Sequence, residues 1–253
     1  MTAKEKAERL DLYMKKNEEA KGDPSIQAVI FDMDGVLIDS EPIYFEIERS
    51  SFDHFGAAVT QEEHHSSVGV TLESMWQQVI DKYQVKVPLE EILAYHQQHV
   101  MERMLTHPEL TAMPGVERWV KWLHEQCIPI AVASSSPRAL IDLIMEKTGL
   151  GSYFEVRLTG EEVEHGKPSP DIFLAAAERI GVSPANCLVI EDSRNGVQAA
   201  KSAGMRCIGY HNPGSGNQDL SKADVQISSY DELWGLKDSL SFENATSGSS
   251  RSL

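Results

Sequence analysis

Cysteine is scarce in this chain of 253 residues, with three thiols at Cys127, Cys187 and Cys207. The odd count and the missing C-x-x-C spacing give no disulfide framework. Each lies beside apolar residues, so all three are expected to be buried free thiols in a reducing compartment. Positive charge is also short, with 23 Lys and Arg against 39 Asp and Glu and a net charge of −16. That balance argues against a nucleic-acid or anionic-membrane partner, because both reward basic surfaces. An anionic ligand would need locally placed cations or backbone N–H groups. No apolar run approaches the length of a membrane span, and the first residues are too charged for a signal peptide. A cytoplasmic protein is expected, and a monomer, since nothing in the chain demands a partner.

What is present centres on residues 29–40, Val-Ile-Phe-Asp-Met-Asp-Gly-Val-Leu-Ile-Asp-Ser. An apolar run leads into two carboxylates, Asp32 and Asp34, at i and i+2. On an extended chain that spacing puts both on one side. Gly35 then allows a sharp turn and a close approach to a ligand. Like charges this near need a shared proton or a divalent cation between them.

Around this stretch the chain falls into regions. Residues 1–25 are rich in Lys and Glu and read as a solvated extension. Residues 26–31 have too few polar positions for a one-sided strand, which suits a central strand of a parallel sheet. Helical periodicity fills residues 42–110, an α-helical insert. Afterwards strands (128–134, 153–158, 187–190, 206–210 and 224–227) alternate with helices (116–126, 137–147, 171–180 and 196–203). Short connections between them imply an α/β fold, a Rossmann-like parallel sheet built from residues 26–41 and 111–238. The Ser/Gly-rich tail from 239 is expected to be disordered.

In an open parallel sheet, ligands sit beyond the carboxyl ends of the strands. Four polar clusters fall there: Asp32 and Asp34, then Ser134-Ser135-Ser136, then residues 161–168 with Lys167-Pro168, and finally Glu191-Asp192-Ser193. Together they suit phosphoryl transfer, which needs in-line positioning and neutralised charge. One carboxylate can attack phosphorus and a second can serve as acid and then base. Mg²⁺ suits an all-oxygen ligand set. A serine hydroxyl and helix-start N–H groups can hold phosphate oxygens, as candidates Ser134 and Ser135, and a lysine supplies positive charge.

In order and spacing these clusters resemble the four motifs of the haloacid dehalogenase (HAD) superfamily, in its β-phosphoglucomutase-like and sugar-phosphate phosphatase branch. The resemblance spans roughly residues 26–232 and includes a helical cap inserted after the first motif. It implies Asp32 as nucleophile and Asp34 as acid/base. It implies Ser134 and Lys167 as phosphate-binding, with Asp32, Asp34 (through its carbonyl), Glu191 and Asp192 at an Mg²⁺ site. The implied activity is hydrolysis of a small phosphorylated metabolite, a sugar phosphate, through an aspartyl-phosphate. The alternative is a phosphosugar mutase. Against it, Tyr44 stands where the mutase has a histidine, and Leu72 follows Gly69-Val70-Thr71 where the mutase has a cap arginine. Arg138 could partly replace that cation. The sequence Asp39-Ser40-Glu41-Pro42 resembles the phosphatases instead.

Other features read as structural. His96 and His99, followed by Glu102, are expected on a solvated helix face, since no further ligand accompanies them. His64-His65 reads as a surface pair. Met75 and Trp76 are expected in the core of the helical insert. Residues 214–217, Gly-Ser-Gly-Asn, read as a flexible loop without a dinucleotide-binding context.

Overall fold

The computed structural model describes residues 25–67, 71–108 and 110–243. The first strand, β1 (Ala28–Phe31), is followed by four consecutive helices: α1 (Glu41–His54), α2 (Gln61–Ser66), α3 (Leu72–Tyr83) and α4 (Leu89–Thr106). Strands and helices then alternate: α5 (Val116–Glu125), β2 (Ile130–Ser134), α6 (Arg138–Lys147), β3 (Val156–Thr159), α7 (Asp171–Ile180), β4 (Cys187–Glu191), α8 (Arg194–Ser202), β5 (Arg206–Tyr210), β6 (Val225–Ile227) and α9 (Tyr230–Leu236). The six strands form one sheet in the order β3-β2-β1-β4-β5-β6, every neighbouring pair parallel. The strand positions read from the sequence stand within two or three residues. The short helix α9 was not among them.

The apolar run of β1 is buried at every position because the sheet is covered on both faces. Alternation along the strand sends Val29 and Phe31 to one face and Ala28 and Ile30 to the other. Helices α5, α6 and α9 cover the first face with Trp119, Leu123, Ile141, Ile144 and Leu233. Helices α7 and α8 cover the second with Phe173, Ala176, Ala199 and Ala200. Phe31 is fully buried and meets Phe154 edge-on with ring centroids 5.6 Å apart. Truncating such a ring costs about 3–5 kcal/mol.

Helices α1, α3 and α4 enclose a smaller apolar cluster of Phe52, Met75, Trp76, Val79 and Ile92. Ile43 and Ile47 of α1 and Val100 and Met104 of α4 turn instead to the main core. The two chain crossings lie side by side. Met113 N donates to Leu37 O at 2.8 Å, and Ile38 forms a β-bridge with Ala112. Lys147 of α6 donates from Nζ to the carbonyls of Met104, Leu105 and His107 at 3.0, 2.9 and 2.7 Å. An exposed cation from α6 thus closes the carboxyl end of α4, where the helix dipole favours it.

Several expectations need correction. Cys127 is exposed; it occupies the left-handed turn that carries the chain from α5 to β2 over the surface, whereas Cys187 and Cys207 are buried. His96 is buried in α4 rather than solvated, because its helix face turns inward with Ile92 and Val100. The expected tail begins too early: Leu240 is buried, and Phe242 bridges Ile26 and packs against Trp119 and Trp122. The rest of the tail and residues 1–24 lie outside the described residues, as do Val68, Gly69 and Val70. No described helix is long and apolar enough to cross a membrane.

Candidate active site

Strand register sets the site. Phe31 pairs with Val132 on one side and Ile190 on the other, so the ends of β1, β2 and β4 are level. Asp32 leaves β1 there, with its N–H bonded to Ile190 O at 3.0 Å. Ser134 ends β2 and Glu191 ends β4 at the same rim. The loop before α7 brings Lys167 to the rim, with its Nζ 4.9 Å from the centre of the Phe173 ring. A cleft of about 760 Å³ opens over this rim toward α1 and α3. Asp32, Asp34, Ser134, Ser135, Lys167, Glu191 and Asp192 all line it. The structure therefore brings together every site residue expected from the sequence.

Lys167 is the hub. Its Nζ donates to Asp32 Oδ1 at 2.5 Å, Glu191 Oε1 at 2.9 Å and Ala133 O at 3.2 Å. Burial works against its charge, but the Asp32 and Glu191 carboxylates outweigh that and raise its pKa. Burial raises Asp32 to about 7; Lys167 opposes the shift, and Glu191 and Asp34 add to it. Burial also pushes Asp192 well up, with Glu191 and Asp32 adding to it and the hydroxyl of Ser215 opposing it. Asp34 is raised by burial too, although Ser40 Oγ donates to its Oδ1 at 2.7 Å and Ser136 Oγ to its Oδ2 at 2.9 Å.

Among the described residues, one carboxylate cluster could hold a metal ion. Asp32, Glu191 and Asp192 offer oxygens within 4.8 Å of one another, all buried. Lys167 supplies one positive charge against these three acids. A hard divalent cation such as Mg²⁺ matches both the oxygen donors and the deficit. The surrounding backbone keeps the space clear. Gly35 has φ +75°, and a Cβ there would run into the Asp192 carboxylate. A Cβ on Gly196 would run into Glu191.

The residues 29–210 match the family model of the haloacid dehalogenase-like hydrolases. The chain belongs to that family. Its similarity to named proteins runs along most of the chain. It is 35% identical over 183 residues to a phosphorylated carbohydrates phosphatase of Thermotoga maritima, covering 72% of this chain and 84% of that protein. It is 32% identical over 216 residues to hexitol phosphatase B of Escherichia coli, covering 82% and 94%. Among solved structures, a putative beta-phosphoglucomutase from Thermotoga maritima superposes with a TM-score of 0.71 at 32% identity, over 84% of this chain and 99% of that one.

Within this haloacid dehalogenase-like site, some residues escaped sequence reasoning. Ser215 lies in the 214–217 loop read as merely flexible, yet its Oγ donates to Asp192 Oδ2 at 2.5 Å. Ser40 and Ser136 hold both oxygens of Asp34, and no periodicity in the sequence marks hydroxyls that converge from distant segments. His64 is buried in the cleft wall, not on the surface, because Phe45 and Phe52 pack on its ring. Trp76 is fully buried in the helical cluster, and Met75 both joins that cluster and lines the cleft. Arg138 does not reach the cleft. Its guanidinium pairs with Glu162 and donates to Arg157 O at 2.7 Å.

Proposed function

We propose that the chain is a phosphoric monoester hydrolase acting on small phosphorylated carbohydrates, with Asp32 as nucleophile and Asp34 as acid/base. The observation that carries this reading is the convergence of Asp32, Asp34, Lys167 and the Asp192 carboxylate on one water-accessible cleft at the sheet's carboxyl rim. Support comes also from the phosphatases to which the chain is similar, among them a hexitol and a phosphorylated carbohydrates phosphatase.

In the first step an Asp32 carboxylate oxygen forms a bond to phosphorus as the bond to the leaving oxygen breaks. Asp34 gives its proton to that oxygen, so the alcohol departs neutral. The raised pKa of Asp34 favours a protonated acid at the start. The product is an aspartyl-phosphate. In the second step Asp34, now ionised, takes a proton from water as the water attacks phosphorus, which frees phosphate and regenerates Asp32. Ser134 Oγ accepts from Ser136 N at 3.0 Å, which leaves its hydroxyl proton free to bind a phosphate oxygen. Ser135 lies beside it, and Lys167 adds positive charge. Asp32, Glu191 and Asp192, with the Asp34 carbonyl, would hold Mg²⁺. When bound, it offsets the charge of the acids and of the transferring phosphoryl group. Ser215 keeps the Asp192 carboxylate turned toward that position.

The helices α1 to α4 act as a cap that shields the reaction from bulk water and selects the leaving group. The soluble, cytoplasmic setting suggested by composition fits a metabolite phosphatase. Tyr44 and Leu72 weigh against a mutase, which must grip a bisphosphate: the described cap arginines Arg49 and Arg103 are turned to Val59 O and Glu46 and do not line the cleft. Phosphate release from a panel of phosphorylated sugars and polyols, with Mg²⁺ and with chelator, tests the reading. Net isomerisation without phosphate release would overturn it.

A further inference from the structure

The wall of the cleft away from the reacting acids carries a pair that the steps above leave unused. Glu48 of α1 lines the cleft, with 22% of its side chain exposed. His64 of α2 is 1% exposed and donates from Nε2 to Glu48 Oε2 at 2.5 Å. The imidazole stacks on Phe45 with centroids 3.9 Å apart and meets Phe52 edge-on at 5.0 Å. Its Nδ1 is buried and has no hydrogen-bond partner. The ring is therefore fixed by aromatic packing and by one polar anchor, the Glu48 carboxylate. Among the described residues, the second oxygen of that carboxylate, Oε1, accepts no hydrogen bond. Holding a histidine this way leaves one carboxylate oxygen aimed and unsatisfied beside an open cleft.

Position along α1 says what that oxygen can meet. Glu41 stands at the reacting end, close enough for its charge to act on Asp192 and to feel Asp34. Glu48 is two turns further on, about 10 Å along the axis at 1.5 Å per residue. Cations cluster at the other end. Lys167 is tied to Asp32 and Glu191, and Arg194 stands two residues past Asp192. A second phosphate or a carboxylate at the Glu48 end would meet a partly desolvated like charge, and among the described cleft-lining residues no lysine or arginine stands at that end. A hydroxyl would meet a ready charged acceptor.

We propose that Glu48, positioned by His64, reads the far end of the leaving group. It accepts a hydrogen bond from a hydroxyl of a neutral sugar or polyol monophosphate, and it rejects substrates with a second anionic group. This rests on the phosphatase reading above and narrows it to leaving groups of about six carbons, which from the phosphorus through the ester oxygen to the terminal hydroxyl reach roughly the 10 Å of that helix segment. His64 is a positioning residue, since it touches Glu48 and not the substrate.

The test compares wild type, Glu48→Ala and Glu48→Gln on three probes: sorbitol 6-phosphate, glucose 1,6-bisphosphate and p-nitrophenyl phosphate, which has no aliphatic hydroxyl. In wild type the bisphosphate should be the poorer substrate of the two sugar compounds. The ratio of kcat/KM for sorbitol 6-phosphate to that for p-nitrophenyl phosphate should fall about ten- to a hundredfold in Glu48→Ala. In Glu48→Gln, which keeps shape and an acceptor but loses charge, that ratio should fall less, and the rate on the bisphosphate relative to sorbitol 6-phosphate should rise. Wild type that releases phosphate from p-nitrophenyl phosphate, with substrate ratios unchanged in both variants, overturns this inference alone. Wild type inactive on all three overturns the phosphatase reading and this inference with it.

Discussion

The crowded acids make stability without metal depend on pH in a direction that can be worked out. Asp32 is raised from 3.8 for a free side chain to about 7, mainly by burial. In the folded protein it holds a proton up to about pH 7, whereas the unfolded chain has lost that proton above about pH 4. The stability this group contributes is complete below 3.8 and is lost as pH rises toward 7, after which the loss levels off. Between pH 5 and pH 8, about two units of that window are crossed, worth about 3 kcal/mol at 1.36 kcal/mol per unit. At about 2–4 °C per kcal/mol for a chain of this size, the melting temperature in EDTA should fall about 6–12 °C. Asp34 and Asp192 are displaced the same way and steepen the slope. Asp32→Asn removes the titrating group and should flatten the curve in EDTA relative to wild type, while histidines elsewhere affect both equally. Saturating Mg²⁺ binds the ionised acids, so its stabilising shift should grow with pH. Melting by circular dichroism across pH 5 to 8 reads all of this. Parallel curves for wild type and Asp32→Asn in EDTA, together with a Mg²⁺ shift that ignores pH, would refute the reasoning.

Other outcomes follow from single contacts. Asp32→Asn should keep the fold and lower phosphate release by several orders of magnitude, because the attacking oxygen is gone; near-normal turnover would refute its role as nucleophile. Ser215→Ala frees the Asp192 carboxylate and should weaken Mg²⁺ activation about 10- to 100-fold, read as the metal concentration for half-maximal rate. Gly35→Ala forces a side chain onto φ +75° and into the Asp192 carboxylate, so it should lose Mg²⁺ activation before it loses fold, as a metal titration beside a melt would show. Lys147→Met leaves the end of α4 without its cation and should cost about 1–2 kcal/mol in urea unfolding.

How much of this was legible in the sequence depends on the kind of signal. Strands β1, β2 and β4 declare themselves as apolar runs because both of their faces are covered, and the acids that follow them are placed by strand register alone. Lys167 was legible for the same reason: its loop follows a strand of that sheet. Contacts made by short polar residues were not legible. Ser215 reaches Asp192 through a loop whose composition spells only flexibility, and Ser40 and Ser136 meet at Asp34 from segments nearly a hundred residues apart in the chain. Burial of single polar side chains was misjudged in both directions. His64 went inside because Phe45 and Phe52 of α1 cover its ring, which no periodicity on its own helix announces, whereas His96 follows the face of α4 that Ile92 and Val100 turn inward, a spacing that did mark it. Cys127 stayed outside because a left-handed turn, not its apolar neighbours, decided its place.

The stem formed by Leu37, Ile38, Ala112 and Met113 has an evolutionary consequence. Seventy-odd residues leave the sheet and return to it through a single two-stranded neck, so their length never enters the strand register. Recombination could swap the outer helices for others and Asp32, the proposed nucleophile, would stay where it is. The swap is limited by the first turns of α1 and the last turns of α4, whose Ile43, Ile47, Val100 and Met104 seal the apolar floor beneath them, and by Lys147, which holds the end of α4. New substrates are thus reached by rewriting the far side of the neck, with the phosphate chemistry held constant.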